Sequence, residues 1–516
     1  MISGLRKIFY TACLCCGLLT SLYAAEEVPS ATEINPTKIN RTELEAKPET
    51  LYLVKVKHSG GNGSLLVGAR DRHDRLYMQR KIDFPATEDP QEISLPFCTD
   101  NLTETIDIAV TAGDTPVKIE APVLTEENFE SIPPAPDQPE QEIWMNVDYY
   151  DMIYYAPKLG VENYREKEIE AMFKTMKERG VTGVLWRISL LGQVLYHSKG
   201  ASTMPPGRYP EEKLPEEMKR ALDIIREFDP LEVAVREARK NGIKIFVWVT
   251  VDDEASWDGG PWWSNFILDH PEAAWTDREG KPQWGTLCYS NPDALAYRLN
   301  QLKELIEYNT DGIYYSFRYH GATQDALETG TRYGYNKEIV EKYKERFDVD
   351  ILAHPVAEGR VLYLDARRWN EIKAESYDLL IEKSAELLHN ANQELIVDIT
   401  NGTHQYREGL FGAHSVLNWD EWLKNRFVDR VIVGIWQQMP WEIMEQAEAI
   451  KKVAYPDQKI YFWMQLRDYA SDTLHPYELV RQQMKAATLG GADGWAFHEY
   501  YDLEEDQKYF DALFQK

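Results

Sequence analysis

After residue 140 the sequence repeats one pattern, in which an amphipathic helical run, a short turn and an apolar strand lead to a polar tip. At residues 311–320 a turn-forming Asp-Gly pair precedes Ile-Tyr-Tyr and then Ser-Phe-Arg-Tyr-His. A second copy at residues 493–500 reads Asp-Gly-Trp-Ala-Phe-His-Glu-Tyr. β-Branched and aromatic residues favour strands, and Asp-Gly favours turns. A repeated helix–strand unit predicts a parallel α/β architecture.

Eight strand candidates share this character, at residues 143–148, 183–189, 243–251, 312–317, 395–399, 431–436, 460–465 and 494–499. Helical segments separate them, at 165–179, 231–241, 292–308, 336–347 with 366–391, 420–425, 441–453 and 476–489, and residues 504–514 supply a last helix. This alternation predicts a (β/α)₈ TIM barrel with long insertions after strands two, three and four. A doubly wound sheet is the alternative, but no Gly-x-Gly-x-x-Gly turn follows the first strand.

The segment before the barrel has a different pattern. Residues 38–123 alternate short β-prone runs with Gly-rich turns, which predicts a small β-sandwich. All 15 Trp residues lie between Trp144 and Trp495, so a structural spacer is favoured over a carbohydrate-binding module. We predict a signal peptide at 1–25, a β-sandwich-like module at 26–130, a Pro-rich linker at 131–141 and the barrel at 142–516.

The N-terminus and the charge narrow the possible partners. Arg6 and Lys7 precede an apolar run at residues 8–22, which is followed by Ala24 and Ala25. This is the pattern of a cleavable signal peptide and is shorter than a membrane span, so we predict a secreted or periplasmic protein. A net charge of −28 argues against nucleic acid and anionic membrane surfaces as partners. The oligomeric state is not predicted.

The strand tips carry the chemistry, because barrels place their sites at the C-terminal ends of the strands. Carboxylates, amides, arginines and indoles recur there, and these are the groups that a sugar site requires. In strand order the tips include Asp148; Arg187; Trp248 with residues 252–254; Ser316, Arg318 and His320; Asp398; Trp436 and Gln437; Gln465 and Arg467; and His498 with Glu499.

Five short motifs in this region resemble a known family. They are His270-Pro271-Glu272, Ser290-Asn291-Pro292, Thr310-Asp311-Gly312-Ile313, Tyr333-Gly334-Tyr335-Asn336 and Glu341-Lys342-Tyr343. Together they resemble the glycosyl-hydrolase-like family ten barrels, which are secreted bacterial proteins, over residues 142–500. The resemblance implies a barrel that acts on a carbohydrate. It also implies a carboxylate on strand four, where this chain has Ser316.

Because strand four lacks that acid, the predicted catalytic carboxylates lie elsewhere: Glu499, Asp398 and Asp253. Asp148, Arg187, Trp248, Arg318, His320, Trp436, Gln437, Gln465, Arg467 and His498 are predicted to bind substrate. Strand one lacks the His-x-His of metal hydrolases, so no metal and no cofactor is expected. The sequence therefore predicts a glycoside hydrolase with a carbohydrate substrate.

Two other functions stay open at this stage. One is a carbohydrate-binding barrel that has lost its nucleophile at Ser316 and does not cleave. The other is a lyase acting on an acidic sugar, with His320 as the base and Arg318 neutralising charge. A serine nucleophile at Ser316 is disfavoured, because the Gly-x-Ser-x-Gly motif is absent.

Overall fold

The computed structural model describes residues 32–514 apart from 37, 49, 74, 100–101, 130–139, 159, 163, 202–208, 256–262, 318–331, 358–359, 362–363, 401–416, 435–438 and 469–470. The predicted signal peptide and most of the predicted linker lie outside this range. The chain divides into two compact units, Met1–Glu127 and Asn128–Lys516. Among the described helices, none combines the length and the apolar character that a membrane span needs.

The first unit is a β-sandwich, as predicted. One antiparallel sheet contains Thr32–Ile34, Leu51–Gly60, Thr87–Cys98, Val117–Ile119 and Val123–Glu126. The other contains Ile39–Glu45, Gly63–Arg70, Leu76–Phe84 and Thr105–Ala112. Alternate residues of the two sheets, such as Val54 and Ile108, pack into one hydrophobic core. This follows from the two-residue period of strand side chains, which turns one face of each sheet inward.

The second unit is a closed barrel of eight parallel strands. The last strand pairs in parallel with the first, and this pairing closes the barrel. All eight strands coincide with the predicted positions, which confirms the (β/α)₈ prediction. They are β1 (Glu142–Val147), β2 (Gly183–Arg187), β3 (Lys244–Thr250), β4 (Gly312–Ser316), β5 (Glu394–Thr400), β6 (Arg430–Gly434), β7 (Lys459–Gln465) and β8 (Gly494–His498).

The helices also follow the predicted order, with three additions. They are α1 (Tyr149–Tyr155), α2 (Glu166–Glu178), α3 (Glu216–Glu227), α4 (Pro230–Asn241), α5 (Asn265–Asp269), α6 (Pro292–Glu307), α7 (Lys337–Phe347), α8 (Ala366–Asn390), α9 (Trp419–Lys424), α10 (Pro440–Lys451), α11 (Tyr477–Leu489), α12 (Tyr500–Glu505) and α13 (Gln507–Leu513). The sequence prediction omitted α1, α3 and α5. It also joined α12 and α13, which the structure separates at Asp506.

The capping residues explain where the best-predicted helices begin and end. Asp229 caps α4 by accepting hydrogen bonds from the Leu231 and Glu232 amides, and Pro230 occupies the first helical position. The helix ends at Gly242, whose φ of 66° suits glycine. Asn291 and Pro292 begin α6 in the same way.

The barrel interior is filled by large side chains below its C-terminal end. Trp248, Tyr314 and Trp463 belong to one buried cluster on β3, β4 and β7. At the N-terminal end, Arg430 lies 5.4 Å from the Trp144 ring centroid and donates to the Tyr461 hydroxyl. With that end packed, a ligand site on the barrel axis can only form above the aromatic layer, at the C-terminal strand ends.

Candidate functional site

A ring of polar side chains lies above the aromatic layer. Since strand side chains alternate, the residue two positions beyond an inward-facing core residue also faces the barrel axis. On β6 this position is Gly434. On the other seven strands it is polar and at most 7% exposed: Asn146, Arg187, Thr250, Ser316, Asp398, Gln465 and His498.

Strand register places these polar residues side by side. Thr250 pairs with Ser316 across β3 and β4, and Gln465 pairs with His498 across β7 and β8. Four of the seven, Arg187, Asp398, Gln465 and His498, were predicted site residues. Ser316 stands where the resemblance implies a carboxylate. The barrel therefore brings residues from distant parts of the chain to one end of its axis.

The carboxylate of the ring is that of Asp398. Its Oδ2 accepts hydrogen bonds from Ser316 Oγ at 2.9 Å and from the Tyr314 hydroxyl at 3.4 Å. Its Oδ1 accepts from the Phe317 amide at 2.7 Å. Three donors on β4 and its end thus hold one carboxylate of β5. Hydrogen bonds to a carboxylate favour its charged form.

This geometry gives Ser316 a role. The resemblance placed an acid at this position, and Ser316 instead donates to the acid of the neighbouring strand. The C-terminal end of β4 therefore contributes hydrogen-bond donors, and β5 contributes the carboxylate that accepts them.

A second group of predicted residues meets around Arg187. Its guanidinium forms an ion pair with Asp148, and its Nη2 lies 3.4 Å from Asp253 Oδ2. Its Cζ lies 5.1 Å from the Trp248 ring centroid. All three charged side chains are buried. The Leu191 amide also donates to Asp253 Oδ2 at 3.0 Å.

The neighbouring acids of Asp253 point to other parts of the molecule. Asp252 Oδ2 accepts from the Tyr377 hydroxyl of α8 at 2.7 Å. Glu254 forms a buried ion pair of 2.7 Å with Arg298 of α6. Of the three acids at residues 252–254, Asp253 is thus the one seen to contact the Arg187 group among the described residues.

The burial of Asp252 predicts that the free energy of unfolding depends on pH. Burial raises the pKa of Asp252 from 3.8 to about 7. Between about pH 4 and 7 the folded protein therefore keeps a proton that the unfolded chain releases, so stability falls as pH rises through this window. We expect Asp252→Asn to remove the Asp252 share of this fall, which amounts to at most about 3 kcal/mol between pH 5 and pH 8, and to leave the smaller share of Asp502. Denaturant unfolding at pH 5 and pH 8, followed by tryptophan fluorescence, measures it for the barrel.

Asp223→Asn is the control, because Asp223 is an exposed acid on α3. The free energy of unfolding of Asp223→Asn should change between pH 5 and pH 8 as much as that of the unsubstituted protein. If that of Asp252→Asn also changes as much, the buried carboxyl does not cause the pH dependence.

His498 and Glu499 complete the last strand. The His498 ring lies 5.1 Å from the Trp463 ring and 6.4 Å from the Trp248 ring, measured between centroids. Its Nδ1 lies 3.9 Å from Glu499 Oε2. Glu499 is 2% exposed and precedes α12, where its amide donates to Asp502 Oδ2 at 3.3 Å. The carboxyl is thus buried at the N-terminus of α12, beside His498.

Arg467 belongs to an ion network at the edge of the barrel. It bonds Asp502 at 2.7 Å and also contacts Asp472 and Glu505. Its carbonyl accepts from Gln465 Nε2 at 2.6 Å. Burial raises the pKa of Asp502 to about 6 even beside this arginine. Arg467 therefore holds α12 to β7, next to Glu499.

The sequence prediction missed two residues of the ring, Asn146 and Thr250. Both Asn146 amide atoms and Thr250 Oγ1 are buried and have no hydrogen-bond partner among the described residues. The same holds for Asp148 Oδ1 and Gln465 Oε1. Buried polar atoms are nearly always hydrogen-bonded, so these atoms are available to water or to a polar ligand. The two-residue spacing from Trp144 and Trp248 was the signal that could have found both.

Four predicted substrate-binding residues lie outside the described residues. They are Arg318 and His320 after β4, and Trp436 and Gln437 after β6. Their roles stay predictions.

No protein-family model and no curated protein matches the chain. Among solved structures, the PgaB (BpsB) glycoside hydrolase domain from Bordetella bronchiseptica is similar at a TM-score of 0.46 and 14% identity, covering 73% of this chain and 98% of that chain. The spore cortex-lytic enzyme SleL from Bacillus megaterium has a TM-score of 0.37 and 9% identity, covering 72% and 75%. A cycloisomaltooligosaccharide glucanotransferase from Paenibacillus sp. has a TM-score of 0.37 and 9% identity, covering 86% and 54%.

At TM-scores and identities this low, the similarities identify neither a family nor an activity. The resemblance to glycosyl-hydrolase-like family ten stays a prediction.

Proposed function

We propose that the barrel is a glycoside hydrolase that cleaves glycosidic bonds in an oligo- or polysaccharide. The observation that carries this proposal is the position of Asp398, a carboxylate held by three donors within a ring of buried polar side chains. Glycosidic cleavage needs two carboxyl groups with different protonation states. In this proposal Asp398 and Glu499 supply the two groups.

Asp398 takes the role of the ionised carboxylate. Its hydrogen bonds to Ser316, Tyr314 and the Phe317 amide stabilise negative charge. An ionised carboxylate either attacks the anomeric carbon or takes a proton from the attacking water.

Glu499 takes the role of the general acid. Burial disfavours the charged form of a carboxyl group, and a general acid must hold its proton until the leaving oxygen needs it. His498, 3.9 Å away, is placed to hold the leaving sugar or to orient Glu499.

The remaining ring residues bind the sugar in this proposal. Asn146, Thr250 and Gln465 offer amide and hydroxyl groups to sugar hydroxyls. Arg187 and Asp148 offer a fixed donor and acceptor, while Trp248 forms part of an apolar floor. Asp253 contacts Arg187 and the Leu191 amide, so its proposed role is to position Arg187. The predicted signal peptide is consistent with a secreted enzyme of polysaccharide degradation.

A non-catalytic carbohydrate-binding barrel is the second candidate. Ser316 favours it, because strand four carries a hydroxyl where the resemblance implies a nucleophile. The lyase alternative depends on His320 and Arg318, which lie outside the described residues.

Incubation of the purified protein with a panel of glycans tests the proposal. We expect new reducing ends from at least one neutral glycan, detected by a reducing-sugar assay and by chromatography of the products. Binding without cleavage, measured by calorimetry across the same panel, would assign the non-catalytic barrel instead. An unsaturated product with new ultraviolet absorbance from a uronate-containing glycan would assign the lyase.

A further inference from the structure

Two motifs that the proposed function does not use come together on the connection between β3 and β4. His270 and Glu272 belong to the first motif, and Asp293 directly follows the second. One ligand atom from each of these three side chains lies within 4.8 Å of the others. His270 Nδ1 is 3.3 Å from Glu272 Oε1. A nitrogen and two carboxylate oxygens therefore converge on a small volume.

The His270 ring and the Glu272 main chain are held by neighbours that are not ligands themselves. The His270 ring stacks on Phe266 with centroids 4.9 Å apart, and Phe266 stacks on Tyr297 of α6 at 4.1 Å. The Glu272 carbonyl accepts from Asn336 Nδ2 at 3.3 Å. The fold thus holds the His270 ring and the Glu272 main chain in place before any ion binds.

Asp293 lies in the first turn of α6 but does not cap the helix. Asn291 does so, because its Oδ1 accepts from the Asp293 amide at 3.0 Å and from the Ala294 amide at 3.2 Å. The helix holds the Asp293 main chain in place and leaves its carboxylate to other contacts.

The charges of the cluster do not balance within the protein. In the part of the chain that the structure describes, His270 is the one basic partner of Glu272, and Asp293 forms no ion pair. Two carboxylates at this separation repel each other. A bound cation would remove that repulsion.

The geometry points to a site for a divalent transition metal, and we propose that His270, Glu272 and Asp293 bind Zn²⁺. Tetrahedral zinc with bonds of about 2.0–2.2 Å places its ligand atoms about 3.4 Å apart. The His270–Glu272 distance of 3.3 Å already matches this, and the Asp293 oxygen, within 4.8 Å of both, would have to move closer to take the third position.

The imidazole selects zinc over Ca²⁺ and Mg²⁺, which take oxygen ligands. The His270 and Glu272 side chains are 41% and 60% exposed and Asp293 is also exposed, so water completes the coordination. The ion would tie the segment that follows α5 to the first turn of α6. This inference is independent of the proposed glycosidase activity.

Titration of tag-free, chelator-treated full-length protein with ZnCl₂ tests the site by calorimetry and by thermal unfolding. We expect saturable binding of one ion per chain and a rise of several degrees in the melting temperature. MgCl₂ and CaCl₂ at the same concentration should leave the melting temperature unchanged. His270→Ala and Asp293→Asn should each weaken zinc binding at least about tenfold.

His389→Ala is the matched control, because His389 Nε2 also lies 3.0 Å from a carboxylate, that of Asp429. It should keep the zinc affinity of the unsubstituted protein. Absence of saturable zinc binding would overturn the site. So would zinc binding that His270→Ala and Asp293→Asn leave unchanged.

Discussion

Replacing Asp398 by Asn is expected to lower kcat on the cleaved glycan by about a thousandfold or more, and Glu499→Gln should have an effect of similar size. Asparagine keeps the shape of Asp398 but carries no charge to stabilise the transition state or to activate water. Glutamine at 499 cannot protonate the leaving oxygen. Steady-state kinetics on the glycan identified in the panel measures both effects, and calorimetry should still detect glycan binding.

Asp311→Asn separates loss of chemistry from loss of structure. Asp311 precedes β4 at the opposite end of the barrel, where its Oδ2 accepts from the Ile245 amide at 2.8 Å. This variant should keep kcat within about twofold, even if its stability changes. Full activity in both Asp398→Asn and Glu499→Gln would show that other residues carry the reaction.

Replacing Arg187 by Met is expected to destabilise the barrel by about 3–5 kcal/mol. The substitution leaves Asp148 and Asp253 buried without the cation that both contact. It also removes the guanidinium from the face of Trp248. Loss of one partner from a buried ion group is costly because the remaining charges cannot be solvated. Denaturant unfolding followed by tryptophan fluorescence reports this loss for the barrel unit, which holds all 15 Trp residues.

Arg226→Met provides the comparison at the surface. Arg226 makes two hydrogen bonds with Glu211, at 2.9 and 2.8 Å, but the two side chains are 55% and 48% exposed. Removal of this exposed pair should leave the stability almost unchanged. Equal losses of stability in Arg187→Met and Arg226→Met would show that the buried ion group stabilises the barrel no more than the exposed pair does.

The strands were the most predictable part of the fold. A parallel strand buried on both faces is a short apolar run between turn signals, and all eight barrel strands have that form. Helices α4 and α6 were equally clear, because Asp229 and Asn291 mark their first residues. Helix α3 was missed although Met218, Leu222 and Ile225 give it a buried face, so its pattern was available. The short helices α1 and α5 have too few turns to show a helical spacing of apolar residues.

Side-chain partners were harder to predict than strand positions. The three consecutive acids at residues 252–254 look equivalent in sequence, yet each contacts a different element: α8, Arg187 and α6. These contacts depend on how the chain turns after β3 and on helices far along the sequence. Arg467 was predicted to bind substrate, and its placement among Asp502, Asp472 and Glu505 depends on α12, which lies beyond the next strand.

The bond between Ser316 and Asp398 bears on how such a barrel is recognised from its sequence. Adjacent strands lie about 4.8 Å apart, so an acid on β5 and an acid on β4 can serve nearly the same point on the barrel axis. Under the proposed function, the reactive charge of this chain stands on β5, and Ser316 on β4 serves as its donor. A search for an acid only at the end of strand four would then overlook this barrel.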